Sequence, residues 1–159
     1  MSHRLRLALL LPLALLLSAC GPTRHVFPPD AAIQQLQLTP AGQWQISVRI
    51  NNYSYDTEVH FLRLDASLTV GTDVAGSLAA PLKLTIAARS ADVTELQLTP
   101  TAAAAKALVA LGNNGSRSLA YHLKGTITVG DDKGGSRREF PLDHNDYLSP
   151  VPGVPGTYR

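Results

Sequence analysis

From Ile33 onward the apolar residues of this chain recur at every second position. Within Gln43–Asn51, Trp44, Ile46, Val48 and Ile50 alternate with Gln43, Gln45, Ser47 and Arg49, the pattern of a strand buried on one face only. A shorter strand is predicted over Ile33–Thr39, with Pro40–Gly42 as the turn between the two. The run Glu58–Val70 places Leu62, Leu64, Ala66, Leu68 and Val70 on one face and polar residues from Arg63 to Thr69 on the other. Gly71 and Asp73 open a loop with a short edge strand near Val74 and Ala75. Leu82–Ala88 then turns Leu82, Leu84 and Ile86 inward, and a turn at Ser90–Asp92 joins it to Val93–Leu98 as a hairpin.

At Thr99-Pro100 the period changes. Threonine is a good N-cap, proline is favoured at the first helical position, and an alanine-rich segment follows with Gly112 just beyond it. A helix is predicted over Pro100–Leu111, with Ala104, Leu108 and Leu111 on one face, and a loop over Asn113–Ser116. Strand alternation returns over Ser118–Val129 through Leu119, Tyr121, Leu123, Ile127 and Val129, with Gly125 marking a bulge or a close approach. After a turn at Asp131–Gly135 a last strand is expected over Arg137–Leu142, and the remainder, from Asp143, reads as a proline- and glycine-rich tail. About seven short strands and one helix imply two packed antiparallel sheets.

Leu-Gln-Leu-Thr-Pro occurs at residues 36–40 and again at 96–100, and Leu68-Thr-Val-Gly71 is echoed by Ile127-Thr-Val-Gly130. An old duplication and the recruitment of similar residues by similar strand exits are both open. The second is preferred, because one copy has a strand where the other has a helix.

Ahead of this alternating region lies a different grammar. The apolar run Leu7–Leu17 is too short to span a hydrocarbon core, which takes about 20 helical residues, but it suits the apolar centre of an export signal. Arg4 and Arg6 give the positive start, and small Ser18 and Ala19 give the cleavage site. The string Leu17-Ser-Ala-Cys20 resembles the bacterial lipobox, and Cys20 is the chain's only cysteine. With no second cysteine in the chain for a disulfide, Cys20 is expected to carry the lipid, and two or more acyl chains hold a protein stably on its membrane. The resemblance to lipoproteins also implies an outer-membrane destination facing the periplasm, because Gly21 and not aspartate follows the cysteine. The expected organisation is a signal peptide over residues 1–19, a proline-containing tether over 20–30, a sandwich over 31–142 and a tail over 143–159.

Charge narrows the partners. Of the fourteen lysines and arginines, Arg4 and Arg6 leave with the signal, and the remaining twelve balance twelve acidic residues. No basic run stands out, so nucleic acid is not an expected partner. The hydrophobic fraction of 45% argues for a packed domain.

The stretch Ile33–Leu142 resembles the second group of late embryogenesis abundant proteins, also described as the water stress and hypersensitive response domain. The segments that carry the likeness are Ile46-Ser-Val-Arg-Ile-Asn-Asn52, Leu62-Arg-Leu-Asp-Ala-Ser-Leu-Thr-Val-Gly71, and the Ala75-Gly76 exit leading to Leu82–Leu98. The family usually has Asn-Pro-Asn where this chain has Asn51-Asn52-Tyr53. The resemblance implies an immunoglobulin-like or fibronectin-like sandwich with a helix between strands, and a protective, non-enzymatic role under desiccation, osmotic or other stress.

A search of the residues for chemistry agrees with a non-enzyme that needs no cofactor. No nucleophile elbow, His-Glu-x-x-His string or phosphate-cradling glycine loop is present. His25 falls in the tether, and His60 and His122 occupy polar strand positions. Asp143-His144-Asn145-Asp146 offers mixed oxygen and nitrogen donors for a cation, but reads better as a polar segment that caps backbone groups at the end of the last strand. Asp131-Asp132-Lys133-Gly134-Gly135 reads as a turn, since it lacks the alternating acids of a calcium loop. The expected contact surface is Asn51, Asn52, Tyr53 and Tyr55, at an edge or corner of the sandwich, where a sugar or peptide could bind. The structural alternative there is backbone capping by the amides, with the tyrosines partly in the core. Two functional classes stay open: the protective envelope domain, and an accessory lipoprotein that docks an envelope protein complex through a sheet edge or the tail Leu148–Arg159.

Overall fold

A computed structural model of the chain describes residues 25–113, 118–130 and 136–159. The signal segment, Cys20 and the Asp131–Gly135 turn lie outside these residues. The described elements are β1 (Asp30–Leu38), β2 (Trp44–Asn52), β3 (Val59–Val70), β4 (Asp73–Ile86), β5 (Ser90–Leu98), α1 (Ala102–Asn113), β6 (Leu119–Gly130), β7 (Arg137–Leu148) and β8 (Thr157–Tyr158). They form an antiparallel β-sandwich, with one sheet ordered β5-β2-β1-β8 and the other β4-β3-β6-β7.

The alternation that predicts β2 is the alternation observed. Trp44, Ile46, Val48 and Ile50 are buried, and Gln45 and Arg49 face out. β1 departs from strict alternation at a bulge between Ile33 and Gln35, so its inward set runs Ala31, Ile33, Leu36. In β3 the expected inward set needs correction at Leu62. A bulge between Phe61 and Arg63 makes Leu62 the extra residue relative to β6, so Val59 and Phe61 point inward before Leu64 takes over. Leu62 itself is half-buried, against Gly130.

Two further expectations are corrected by pairing. Val74–Ala75 is not a separate edge strand but the start of one long β4, which pairs with β3. β4 and β5 do not form a hairpin: β5 pairs with β2 in the first sheet, and the chain crosses between sheets at residues 87–89. A short connection permits pairing, but β4 is already paired along β3 and β5 along the whole of β2. That pairing also accounts for the repeated Leu-Gln-Leu. β1 and β5 flank β2 in equivalent register, so Trp44 lies between Leu38 and Leu98, Gln45 between Gln37 and Gln97, and Ile46 between Leu36 and Leu96. The second echo pairs β3 with β6, which run in opposite directions, whereas β1 and β5 run the same way. No rotation that keeps strand direction relates both pairs, and shared surroundings explain the repetition.

The helix begins two residues later than expected. Its cap is Thr101 and not Thr99: the Thr101 hydroxyl accepts from the Ala104 amide at 3.4 Å and donates to the Val74 carbonyl at 2.7 Å. The predicted apolar face, Ala104, Leu108 and Leu111, is buried. Gly125 is a close approach, as expected, because a methyl group there would overlap the backbone carbonyl of Asp65 on β3.

The chain beyond Asp143 is not a free tail. β7 continues to Leu148, in register with β6. The segment then turns, pairs Ser149 with Arg159 through bonds of 2.7 and 2.9 Å, and adds β8 to the edge of β1. Leu148, Thr157 and Tyr158 are buried by this return. At the other end the tether is held before Asp30, since Pro29 is buried and Val26 packs on the core.

The inward register of β2 is checked by substitution. Ile46→Ala is expected to destabilise by about 2–5 kcal/mol, and Gln45→Ala by less than about 0.5 kcal/mol, in urea unfolding followed by Trp44 fluorescence. Equal effects would contradict the register, since a one-residue slip reverses every side chain.

Candidate functional site

At the end of β2 the chain leaves the first sheet, and the expected contact residues separate into two kinds. Asn52 continues the inward alternation of β2 and is 2% exposed. Its amide nitrogen lies 2.9 Å from the Thr57 carbonyl, 3.0 Å from that of Ile86 and 3.1 Å from that of Ala87, and its side-chain oxygen accepts from the Ser54 amide at 3.0 Å. Ser54 is likewise buried; its hydroxyl accepts from the Phe27 amide and its carbonyl from the Arg89 amide. Asn52 is therefore occupied by architecture, as the capping alternative expects. The tyrosines follow neither the core nor the capping pattern: Tyr53 is 54% and Tyr55 63% exposed.

Those exposed rings border an open cleft of about 640 Å³ on the outer surface of the first sheet. Phe27, Arg49, Asn51, Tyr53, Tyr55 and Arg89 contribute to its walls. Phe27 meets Tyr55 edge to face, with ring centroids 5.2 Å apart and planes at 87°. The Arg89 guanidinium lies 4.8 Å from the Tyr55 ring centroid. Arg89 holds this place from a left-handed backbone, φ 54°, which disfavours any residue with a Cβ. No carboxylate lines the cleft, and neither guanidinium meets one among the described residues.

Three of these residues, Arg49, Arg89 and Phe27, are not among the expected contact residues. Arg49 shares the outward face of β2 with Asn51, so period two could have found it. Arg89 arrives through the β2–β5 pairing that puts Asn52 opposite Ser90, and Phe27 through its bond to Ser54.

The Asp143–Asp146 segment is divided by strand alternation. Asp143 faces out, where the hydrogen bond from His122, 2.7 Å away, holds its carboxyl below the usual carboxylate range, with Lys124 adding at 3.7 Å. His144 faces the seam between the sheets, its Nδ1 donating to the Asp30 carboxylate 3.0 Å away on β1. Its ring stacks at 6.1 Å on Tyr121. The segment lies within β7 and does not end it: Asp146 caps the Tyr147 amide at 2.8 Å, as expected, whereas Asp143 and His144 make cross-strand and cross-sheet pairs. Among the described residues no three of His, Cys, Asp and Glu come together to hold a metal ion. His25 is exposed, and the His60 Nδ1 lies 2.8 Å from the Thr85 hydroxyl on the outer face of the second sheet.

Tyr121 completes the seam. Its hydroxyl accepts from the Ile33 amide at 3.0 Å, beyond the reach of the short β8. Burial pushes its pKa up to about 12.

No family model matches the chain, and no curated protein matches it. Solved structures do. The solution structure of AT1g01470 from Arabidopsis thaliana is 11% identical with a TM-score of 0.55, over 87% of this chain and 93% of that one. The crystal structure of a protein from Archaeoglobus fulgidus is 10% identical with a TM-score of 0.47, over 80% of this chain and 98% of that one. The first of these likenesses is one of fold alone.

Two outcomes are expected. Asn52→Ala leaves buried carbonyls without donors and should cost at least about 2 kcal/mol, whereas Asn51→Ala should stay within about 0.5 kcal/mol in denaturant unfolding. For Tyr121 the folded state holds its proton more tightly than the unfolded chain, so stability should be full below pH 10 and fall as the pH rises towards about 12. Tyr121→Phe should flatten that fall in stability curves measured at successive pH values. The part that remains belongs to Tyr158, whose pKa burial also raises.

Proposed function

We infer that this is a non-enzymatic lipoprotein of the bacterial envelope, anchored in the outer membrane through Cys20. Its β-sandwich is of the late embryogenesis abundant group 2 kind, and its role is protective under desiccation or osmotic stress. The observation that carries the anchoring is Leu17-Ser-Ala-Cys20 at the end of the apolar run, with the chain's only cysteine in the lipid-accepting place. The protective role rests on the resemblance of Ile46–Asn52 and Leu62–Gly71 to that family. A sandwich with a capped helix between β5 and β6 fits the architecture the resemblance implies, and so does the fold shared with the Arabidopsis structure.

The mechanism under this reading is contact. The strands build a stable scaffold, the anchor concentrates it at the membrane, and the exposed cleft beside the tether gives it a surface to present. The docking alternative draws on a sheet edge or on the segment Leu148–Arg159, which the fold holds beside β1. A defined complex retained with the native lipidated protein through purification would favour it.

Metabolic labelling with a fatty-acid analogue tests the anchor. The wild-type chain should take up label and appear at processed size, while Cys20→Ala should take up none and accumulate as precursor. A Cys20→Ala chain of normal processed size would overturn the lipobox reading. For the protective role, a deletion strain should survive drying or osmotic shock less well, and the anchored protein should restore survival better than a soluble form.

A further inference from the structure

The cleft beside the tether has a chemistry of its own. Its walls combine three exposed or half-exposed aromatic rings, Phe27, Tyr53 and Tyr55, with two guanidinium groups, Arg49 and Arg89, and no acid. The acids of the same loop are engaged elsewhere: Asp56 accepts from the Thr57 hydroxyl, and Glu58 lies 4.0 Å from His60. Of the two amides expected to direct a sugar, Asn52 is consumed by four backbone groups and only Asn51 faces the cleft, beside two guanidinium groups. Guanidinium groups match phosphate oxygens in geometry as well as charge. The Arg89 guanidinium lies 4.8 Å from the Tyr55 ring centroid, and no carboxylate among the described residues pairs with it. Rings with a polar tip settle at the headgroup level of a bilayer.

Position selects the source of the phosphate. Phe27 stands seven residues after Cys20 in the sequence, and seven extended residues reach at most about 25 Å. An anchor at Cys20 therefore keeps this cleft within a short distance of the bilayer surface.

We propose that the Phe27–Arg49–Tyr53–Tyr55–Arg89 cleft docks the domain onto its own membrane by binding the phosphodiester headgroups of anionic phospholipid. The assignment builds on the lipid-anchor reading, with the anchor supplying the local concentration and the cleft the orientation. In the docked state the three rings lie at headgroup depth, and the guanidinium groups pair with lipid phosphates. The outer face of β7, with Tyr147, stays in water.

The experiment couples the processed chain, from Cys20 onward, to a maleimide phospholipid through its one thiol, so that it does not depend on acylation in the cell. A Tyr53→Trp probe is then read by quenching with brominated phospholipid, against the buried Trp44 as background. In vesicles of equal parts phosphatidylglycerol and phosphatidylcholine, the Tyr53→Trp emission should be quenched, and that of a Tyr147→Trp variant should not. Adding Arg49→Ala and Arg89→Gly should weaken docking about 30-fold, with Arg89→Lys intermediate. Glycine accepts the left-handed backbone, so an unchanged circular dichroism spectrum is expected for Arg89→Gly. Equal quenching of both probes, or quenching at position 53 indifferent to the arginine changes, would overturn the proposal. Release of the probe by inorganic phosphate at constant ionic strength would also overturn it, and would assign the cleft to a soluble phosphate ligand. Failure of fatty-acid labelling with normal docking here would remove the anchor and leave the cleft.

Discussion

Two sheets that share one core force the chain to cross between them, and each crossing takes backbone groups off their ladders, some of them buried beside the core. Here the β2–β3 and β4–β5 crossings meet, and the side chain of Asn52 serves both. Its amide reaches Thr57 on one crossing and Ile86 and Ala87 at the other, while its oxygen holds Ser54. Alanine or leucine would fill the space without offering a bond, and aspartate would offer no donor. Asn52 is thus a peptide group delivered by a side chain, and the meeting of the two crossings depends on it.

That same constraint produces the cleft. Because Asn52 fixes Ser54 inward, the residues on either side of Ser54 are turned outward, which places Tyr53 and Tyr55 in solvent beside Arg49. The Ser54 carbonyl then binds the Arg89 amide, and this bond brings the second crossing up to the first. Architecture and surface chemistry alternate residue by residue over five positions. A reading that treats Asn51, Asn52, Tyr53 and Tyr55 as one patch joins residues with opposite duties.

Where local pattern decides structure, the sequence was sufficient. The alternation of Trp44, Ile46, Val48 and Ile50 needs only period two, and the Ala104–Leu108–Leu111 face only period 3.6. Gly125 was legible as a bulge or a close approach, and the contact with β3 makes it the second. What the pattern hides is set by partners distant in sequence. The extra residue at Leu62 is defined by β6, the separation of β4 from β5 by β2 and β3, and the fate of residues 143–159 by β6 and β1. Proline and glycine at residues 150–156 mark turns correctly but cannot say that the chain returns. The cleft followed the same division, since Asn51 and the tyrosines lie in one string whereas Phe27 and Arg89 reach it only through the fold.

The return of the chain at β8 has a temporal side. β1 opens the sandwich, yet the strand that pairs with its outer edge is Thr157–Tyr158, and the buried Leu148 and Tyr158 lie in the same late segment. A chain emerging from its N-terminal end can pair β1 with β2 early, but the first sheet stays unfinished until residue 158 has arrived, and pairings this far apart in sequence form slowly. The last strand to join acts as a latch that shuts the first sheet only after every other strand is in place.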